Sequence, residues 1–95
     1  MQFEWDADKA RRNLSKHRVS FELATRVWDD PLHVVVLDRF EGGEQRWHAV
    51  GLVGAASILV VVHTYPFAGD DERIRIVGAR KATRHERRRY EQEGA

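Results

Sequence analysis

The segment Ser57 to Tyr65 is apolar at every position through its middle, Ile58 to Val62. Five such residues are far too few to cross a membrane. A strand that is apolar on both faces belongs inside a sheet, with a partner on either side. The flanking sequence supplies those partners. Gln45 to Val53 alternates, with Arg46, His48, Val50 and Leu52 on one face and Trp47, Ala49, Gly51 and Val53 on the other. Glu41-Gly42-Gly43-Glu44 precedes it as a turn in which glycine can take positive φ. Before that turn, Leu32 to Arg39 reads as a strand dominated by Val34, Val35, Val36 and Leu37. Gly54-Ala55-Ala56 and the acidic loop Pro66 to Asp71 bracket the central segment. Glu72 to Ala79 then reads as a fourth strand, with Arg73 and Arg75 facing away from Ile74 and Ile76. The middle of the chain therefore predicts a meander of about four antiparallel strands.

Helices flank the meander. Asp6 stands where an N-cap would. On the helix that follows, Ala7, Ala10, Leu14 and His17 fall on one stripe and Lys9, Arg12, Asn13 and Lys16 on the opposite one. This predicts a small apolar seam and a basic outer face. Ser20 opens a second helix, on which Phe21, Ala24 and Trp28 share a face that Leu23 and Val27 widen. Asp30-Pro31 ends it, because the residue before proline is pushed out of the α region. Phe3-Glu4-Trp5 is short and alternating, an edge strand or an anchoring segment. At the other end, Thr83 and Glu86 match a capping box. The helix from Arg84 to Glu93 has only Tyr90 as a large anchor, and its Arg87–Glu91 and Arg89–Glu93 pairs add a few tenths of a kcal/mol each. Such a helix is marginal alone, so Tyr90 must dock it or a partner must order it. The expected class is α+β: two N-terminal helices packed on a roughly four-stranded antiparallel sheet, with a basic C-terminal helix.

Ninety-five residues are enough for one domain, 1–95, and one modest core. The chain has no cysteine, which removes disulfides and thiolate metal sites. Met1 to Asp6 has neither the basic nor the apolar region of a signal peptide, so a cytoplasmic location and no membrane contact are expected. The net charge is +1, but it is unevenly spread. Residues 1–71 carry eight Lys/Arg against eleven Asp/Glu, whereas residues 72–95 carry eight against four. A basic, arginine-rich end points weakly towards phosphate or another anion, and composition alone describes a solvated helical surface more readily.

No metal or cofactor is expected. The five histidines have no HxH or HxxxH spacing, and the acid pairs Asp6/Asp8, Asp29/Asp30 and Asp70/Asp71 sit at helix ends or in a loop, where capping and solvation explain them. The most informative cluster is Arg73, Arg75, Arg80, Lys81, Arg84 and Tyr90. Guanidinium forks match phosphate oxygens in two-pronged geometry, and a nearby tyrosine can stack on a base or pass a proton. His17, on the apolar stripe near a helix end, reads as a core or capping residue more readily than a catalytic one. His48 and His63, on neighbouring strands, could border a concave face.

Phe3-Glu4-Trp5-Asp6, Lys9, Asn13, Lys16-His17, Val19, Phe21-Glu22, Ala24 and Asp30-Pro31, followed by Arg75-Ile76-Val77, Ala79-Arg80-Lys81-Ala82, Glu86-Arg87 and Tyr90, resemble the BrnT family over essentially the whole chain. The opening W-D-x-x-K-x-x-x-N-x-x-K-H and the later A-R-K-A are specific together. The resemblance implies a RelE-like fold and a ribonuclease toxin of a type II toxin–antitoxin system that cleaves RNA without a metal. It implies neutralisation by a BrnA-type ribbon-helix-helix antitoxin, with operator DNA met only through that antitoxin. Metal-free cleavage uses the ribose 2′-hydroxyl as nucleophile, so the protein must position the backbone, offset charge on phosphorus and move two protons. On that basis Arg75 and Arg80 are expected to take the phosphate, and His63 or Tyr90 to carry a proton. Arg46, Lys81, Arg84 and Lys9 are the expected RNA contacts. If Glu72 to Arg80 stays extended, Arg75 and Arg80 face opposite ways. They act together only if the strand ends or bulges near Gly78. The alternatives are a non-catalytic module of the same fold that binds RNA or antitoxin, and a structural domain whose arginines are solvated.

Overall fold

The structure, a computed structural model, describes residues 1–94. The expected central strand is β4 (Ser57–Thr64), the third of five in the order β1-β5-β4-β3-β2. Around it stand β1 (Gln2–Glu4), β2 (Val34–Glu41), β3 (Glu44–Val53) and β5 (Arg73–Lys81). The β2–β3, β3–β4 and β4–β5 pairs are antiparallel, as a meander requires. The expectation of four strands falls one short. Gln2, Phe3 and Glu4 pair in parallel with Arg73, Ile74 and Arg75, so the sheet is five-stranded and mixed. Phe3 fastens this short strand by packing on Trp28, 5.1 Å between ring centroids.

The alternation read in the sequence decides what each face buries. Ala49, Val53, Leu59, Val61, Ile74, Ile76 and Ala79 form the main core with Val19, Phe21, Ala24 and Val27. Burying side chains of this size contributes roughly 1.5–3 kcal/mol each. Val50, Ile58 and Val60 point the other way and form a second, smaller cluster with Tyr90. β4 thus needs cover on both sides, and receives it from helices on both sides.

The helices are α1 (Ala7–His17), α2 (Phe21–Ala24) and α3 (Arg84–Gly94). The expected single helix from Ser20 is shorter than its pattern suggests. After one α-turn it tightens into a 3₁₀ helix, Thr25–Asp29. There Val27 presses onto β3, where a Cβ at Gly51 would lie 3.0 Å from Val27 Cγ1 and 3.1 Å from its carbonyl oxygen. Any larger residue would require Val27 to shift by a few tenths of an ångström, so glycine suits the approach.

The expected seam of α1 is also redrawn. Ala7 and Leu14 are exposed, and no residue of α1 is fully buried. Its inward residues are Ala10, Asn13 and His17. Asn13, read as part of an outer face, instead bonds to the backbone of β5 and of Val19. The helix is therefore docked by an amide at the sheet edge rather than by an apolar stripe.

Candidate nucleic-acid interface

Cross-strand partners share a sheet face. The β4–β5 register shifts between Val62 and His63: Val62 pairs with Gly78, but His63 pairs with Ile76. Val77 is the extra residue, and this bulge reverses the parity of the strand. Arg75 pairs with Thr64 and Arg80 with Val60, four residues apart on β4. The two arginines therefore share a face, the one that also carries Val50, Ile58 and Tyr90.

On that face, Val36, His48, Val62 and Gly78 form one lateral row across β2, β3, β4 and β5. One end of this floor opens into a groove of about 600 Å³. Lys9, Arg12, Lys16 and His17 of α1 form one bank; Arg39 of β2 and Arg46 of β3 form the other; Asn13, Val77 and Gly78 lie between. No carboxylate lines it. Arg46 pairs with Glu41 at 2.9 Å and Arg39 with Asp38 at 3.6 Å, both partners outside the groove. Among the described residues, no carboxylate lies within 4.0 Å of the charged side-chain groups of Lys9, Arg12 or Lys16. Cations on both banks of a cleft, unpaired on the α1 bank, favour a polyanion whose backbone runs along it.

The residues singled out in the sequence divide sharply. Lys9 and Arg46 meet in the groove. Arg75 lies on the same sheet face, with Nε 3.0 Å from Glu4 Oε2 and Nη1 3.9 Å from Glu44 Oε2. Arg80 is held by both oxygens of Glu86, at 2.7 and 2.9 Å. Glu86 also accepts from the backbone N–H of Thr83, at 2.8 Å, completing the expected capping box. These bonds, the Arg80 fork foremost, draw the Glu86 carboxyl down to about 2. Lys81 is exposed at the end of β5, and Arg84 lies with Arg87 and Arg88 on the outer side of α3.

Tyr90 docks α3 as expected, but its hydroxyl is occupied. It donates to Asp30, whose carboxylate also accepts from the backbone N–H groups of Leu52 (2.8 Å) and Leu32 (2.9 Å). Burial, then the bond to Asp30, pushes the Tyr90 hydroxyl up to about 12. His63 is fully buried on the main-core face, between Trp28 and Tyr65, each 5.1 Å away by ring centroid. Its Nδ1 lies 3.3 Å from the Val61 carbonyl, and its Nε2 has no partner. Burial pulls its pKa down to about 4. A side chain sealed there touches no substrate. The four proposed catalytic groups, Arg75, Arg80, His63 and Tyr90, thus do not converge on one point.

Sequence reasoning missed the groove because it placed the α1 stripe in solvent. The spacing of Lys9, Arg12 and Lys16 was a usable signal; His48 reads only as able to border a concave face, and Arg39 carried none. Among the described residues, no three His, Asp or Glu side chains converge as a metal site requires.

A family model described as "Ribonuclease toxin, BrnT, of type II toxin-antitoxin system" matches residues 5–86 of the chain. Among solved structures, the ribonuclease toxin BrnT of Brucella abortus superposes with a TM-score of 0.62 at 20% identity, over 88% of this chain and 99% of that one. No functionally curated protein matches the chain. At that identity the structural likeness speaks for the fold: a five-stranded sheet with helices.

Proposed function

Since the chain belongs to the BrnT family of ribonuclease toxins of type II toxin–antitoxin systems, we propose that it cleaves RNA without a metal. The ribose 2′-hydroxyl attacks the adjacent phosphate, and the products are a 2′,3′-cyclic phosphate and a free 5′-hydroxyl. The observation that carries this reading is the cationic groove between α1 and the β2–β3 side of the sheet. A catalytic divalent ion needs converging carboxylates, whereas this cleft offers ammonium and guanidinium groups. Lys9, Arg12 and Lys16 grip the RNA backbone from one bank. Arg46 meets the reacting phosphate from the other, where charge grows in the transition state. Arg75 adds positive potential further along the same face. Arg80, Tyr90 and His63 serve the fold in this reading: the first two fasten α3, and the third fills the core.

The antitoxin partner implied by the family is proposed to be a BrnA-type ribbon-helix-helix protein that covers the groove with an acidic segment, operator DNA being bound only by that protein. Induction of this chain alone in a bacterium should arrest growth and degrade total RNA, and co-expression of the antitoxin should restore both. Normal growth with intact RNA, at high levels of folded protein, would instead favour a binding module without catalysis.

A further inference from the structure

His48 stands on the sheet row whose Gly78 end lines the groove, paired with Val62 and through it with Gly78. Arg46, two residues earlier on the same face of β3, lines the groove itself. Oδ2 of Asp38 lies 3.2 Å from Nε2 of His48. Asp38 sits in the irregular stretch of β2 between the paired residues Leu37 and Phe40, which displaces it from a regular ladder position. Both side chains are about one-fifth exposed, 21% for His48 and 23% for Asp38. They are thus close enough to the surface to meet a ligand, yet buried enough to hold one geometry.

A carboxylate beside Nε2 favours the proton on that nitrogen and leaves the lone pair on Nδ1. Among the described residues nothing hydrogen-bonds to Nδ1, and it is not among the sealed, unpartnered atoms, in contrast to Nε2 of His63. A carboxylate-oriented histidine with its second nitrogen free has the arrangement of a general base. The α3 side of His48 opens on a small cavity of about 70 Å³, where Val34, Val36, Val50 and Tyr90 face Glu86, Arg89 and Glu93 of α3. The imidazole thus borders this mixed cavity on one flank, and its neighbour along the strand face, Arg46, lines the cationic groove.

We propose that His48 is the general base of the groove and that Asp38 positions it. The proposal rests on the ribonuclease reading above. Nδ1 of His48 takes the proton of the 2′-hydroxyl as the 2′-oxygen bonds to phosphorus. The bond from phosphorus to the 5′-oxygen breaks, and that oxygen takes a proton from water. The imidazolium returns its proton to the resulting hydroxide, so the enzyme ends as it began. Arg46, on the same face, offsets the charge on phosphorus while this happens.

The test is single-turnover cleavage of a mixed-sequence single-stranded RNA by the purified full chain, with affinity read separately on the DNA of the same sequence, which lacks the nucleophile. His48→Gln keeps a polar group beside Asp38 and should lower the cleavage rate by about a hundredfold or more. DNA affinity should stay within about threefold of the parent. Added imidazole should restore activity to His48→Ala, an effect that a purely structural histidine does not show. Asp38→Asn should lower kcat by about tenfold or more with little change in KM. His85→Gln, on the exposed side of α3, should leave the rate unchanged. Cleavage by a folded His48→Gln protein within about threefold of the parent, or absence of imidazole rescue in a folded His48→Ala protein, would overturn the assignment while leaving the ribonuclease reading intact. A parent chain that cleaves no RNA removes that reading, and the base with it.

Discussion

The side-chain amide of Asn13 closes both backbone groups of Ala79. Its Nδ2 donates to the Ala79 carbonyl at 2.8 Å, and the Ala79 N–H donates to its Oδ1 at 3.1 Å. That is the pairing a neighbouring strand would make. β1 accompanies β5 only as far as Arg75, so beyond that point β5 would present a bare edge. The same Nδ2 donates to the Val19 carbonyl at 2.9 Å. Arg18, in the left-handed region at φ 62, has just turned the chain off the end of α1. One amide therefore ties the helix, the turn and the strand, and so fixes where Lys9, Arg12 and Lys16 stand.

Asn13→Ala should therefore destabilise the protein by about 2–3 kcal/mol, since it strips partners from three half-buried backbone groups. Asn13→Asp should cost at least as much, because it sets a carboxylate against two carbonyl oxygens. Urea unfolding checks both. Midpoints within error of the parent would mean that the edge is closed in some other way.

His63 makes the fold sensitive to mild acid. Its pKa is about 4 in the folded chain against the usual 6.5, so the unfolded chain binds the proton first. Stability is fully kept above pH 6.5 and falls as the pH drops from there towards 4, by about 3 kcal/mol in all. His63→Phe keeps an aromatic ring between Trp28 and Tyr65 and should lose most of that slope. Parallel stability curves for parent and variant across this window would show that the histidine is not its source.

Glu86 acts in the same sense but at lower pH. Its carboxyl lies near 2 when folded against the usual 4.5, so it stabilises the fold above pH 4.5, and that contribution is lost as the pH falls through 2. The pair with Arg80 is partly exposed, with 31% and 24% of the two side chains accessible, which limits its worth. Glu86→Gln should cost about 1–2 kcal/mol at neutral pH, within the range for a charge-assisted fork together with its cap. The loss should concentrate in α3, read as faster amide exchange there than in β4. Uniform change across both elements would indicate that α3 is held chiefly by Tyr90.

Much of this was legible in the residues. The alternation of Gln45 to Val53 and the apolar run Ile58 to Val62 placed the two central strands and both their faces. Strand parity posed the right condition for Arg75 and Arg80, and the bulge at Val77 meets it. What stayed hidden depends on contacts far apart in the chain. Three residues cannot announce a parallel strand, so β1 read only as an edge or an anchor. Helical periodicity assigns Asn13 to a polar face, but it does not tell solvent from a strand edge that lacks a partner. The α2 pattern is helical throughout, while the close approach of Val27 to Gly51 goes with a tighter winding. The meeting of Asp38 with His48 depends on an irregularity in β2 that no spacing foretells.

The central claim is that the groove between α1 and β3 cleaves RNA without a metal. Incubation of the purified chain with single-stranded RNA in EDTA, followed by analysis of the product ends, tests it directly. The account predicts undiminished cleavage, a 2′,3′-cyclic phosphate on the upstream fragment and a 5′-hydroxyl on the downstream one. It also predicts that Arg46→Ala slows the reaction by roughly a hundredfold, as expected when charge stabilisation of the transition state is lost. Lys9→Ala should chiefly weaken binding and flatten its salt dependence. Cleavage abolished by EDTA, a downstream 5′-phosphate, or full activity in Arg46→Ala would contradict it.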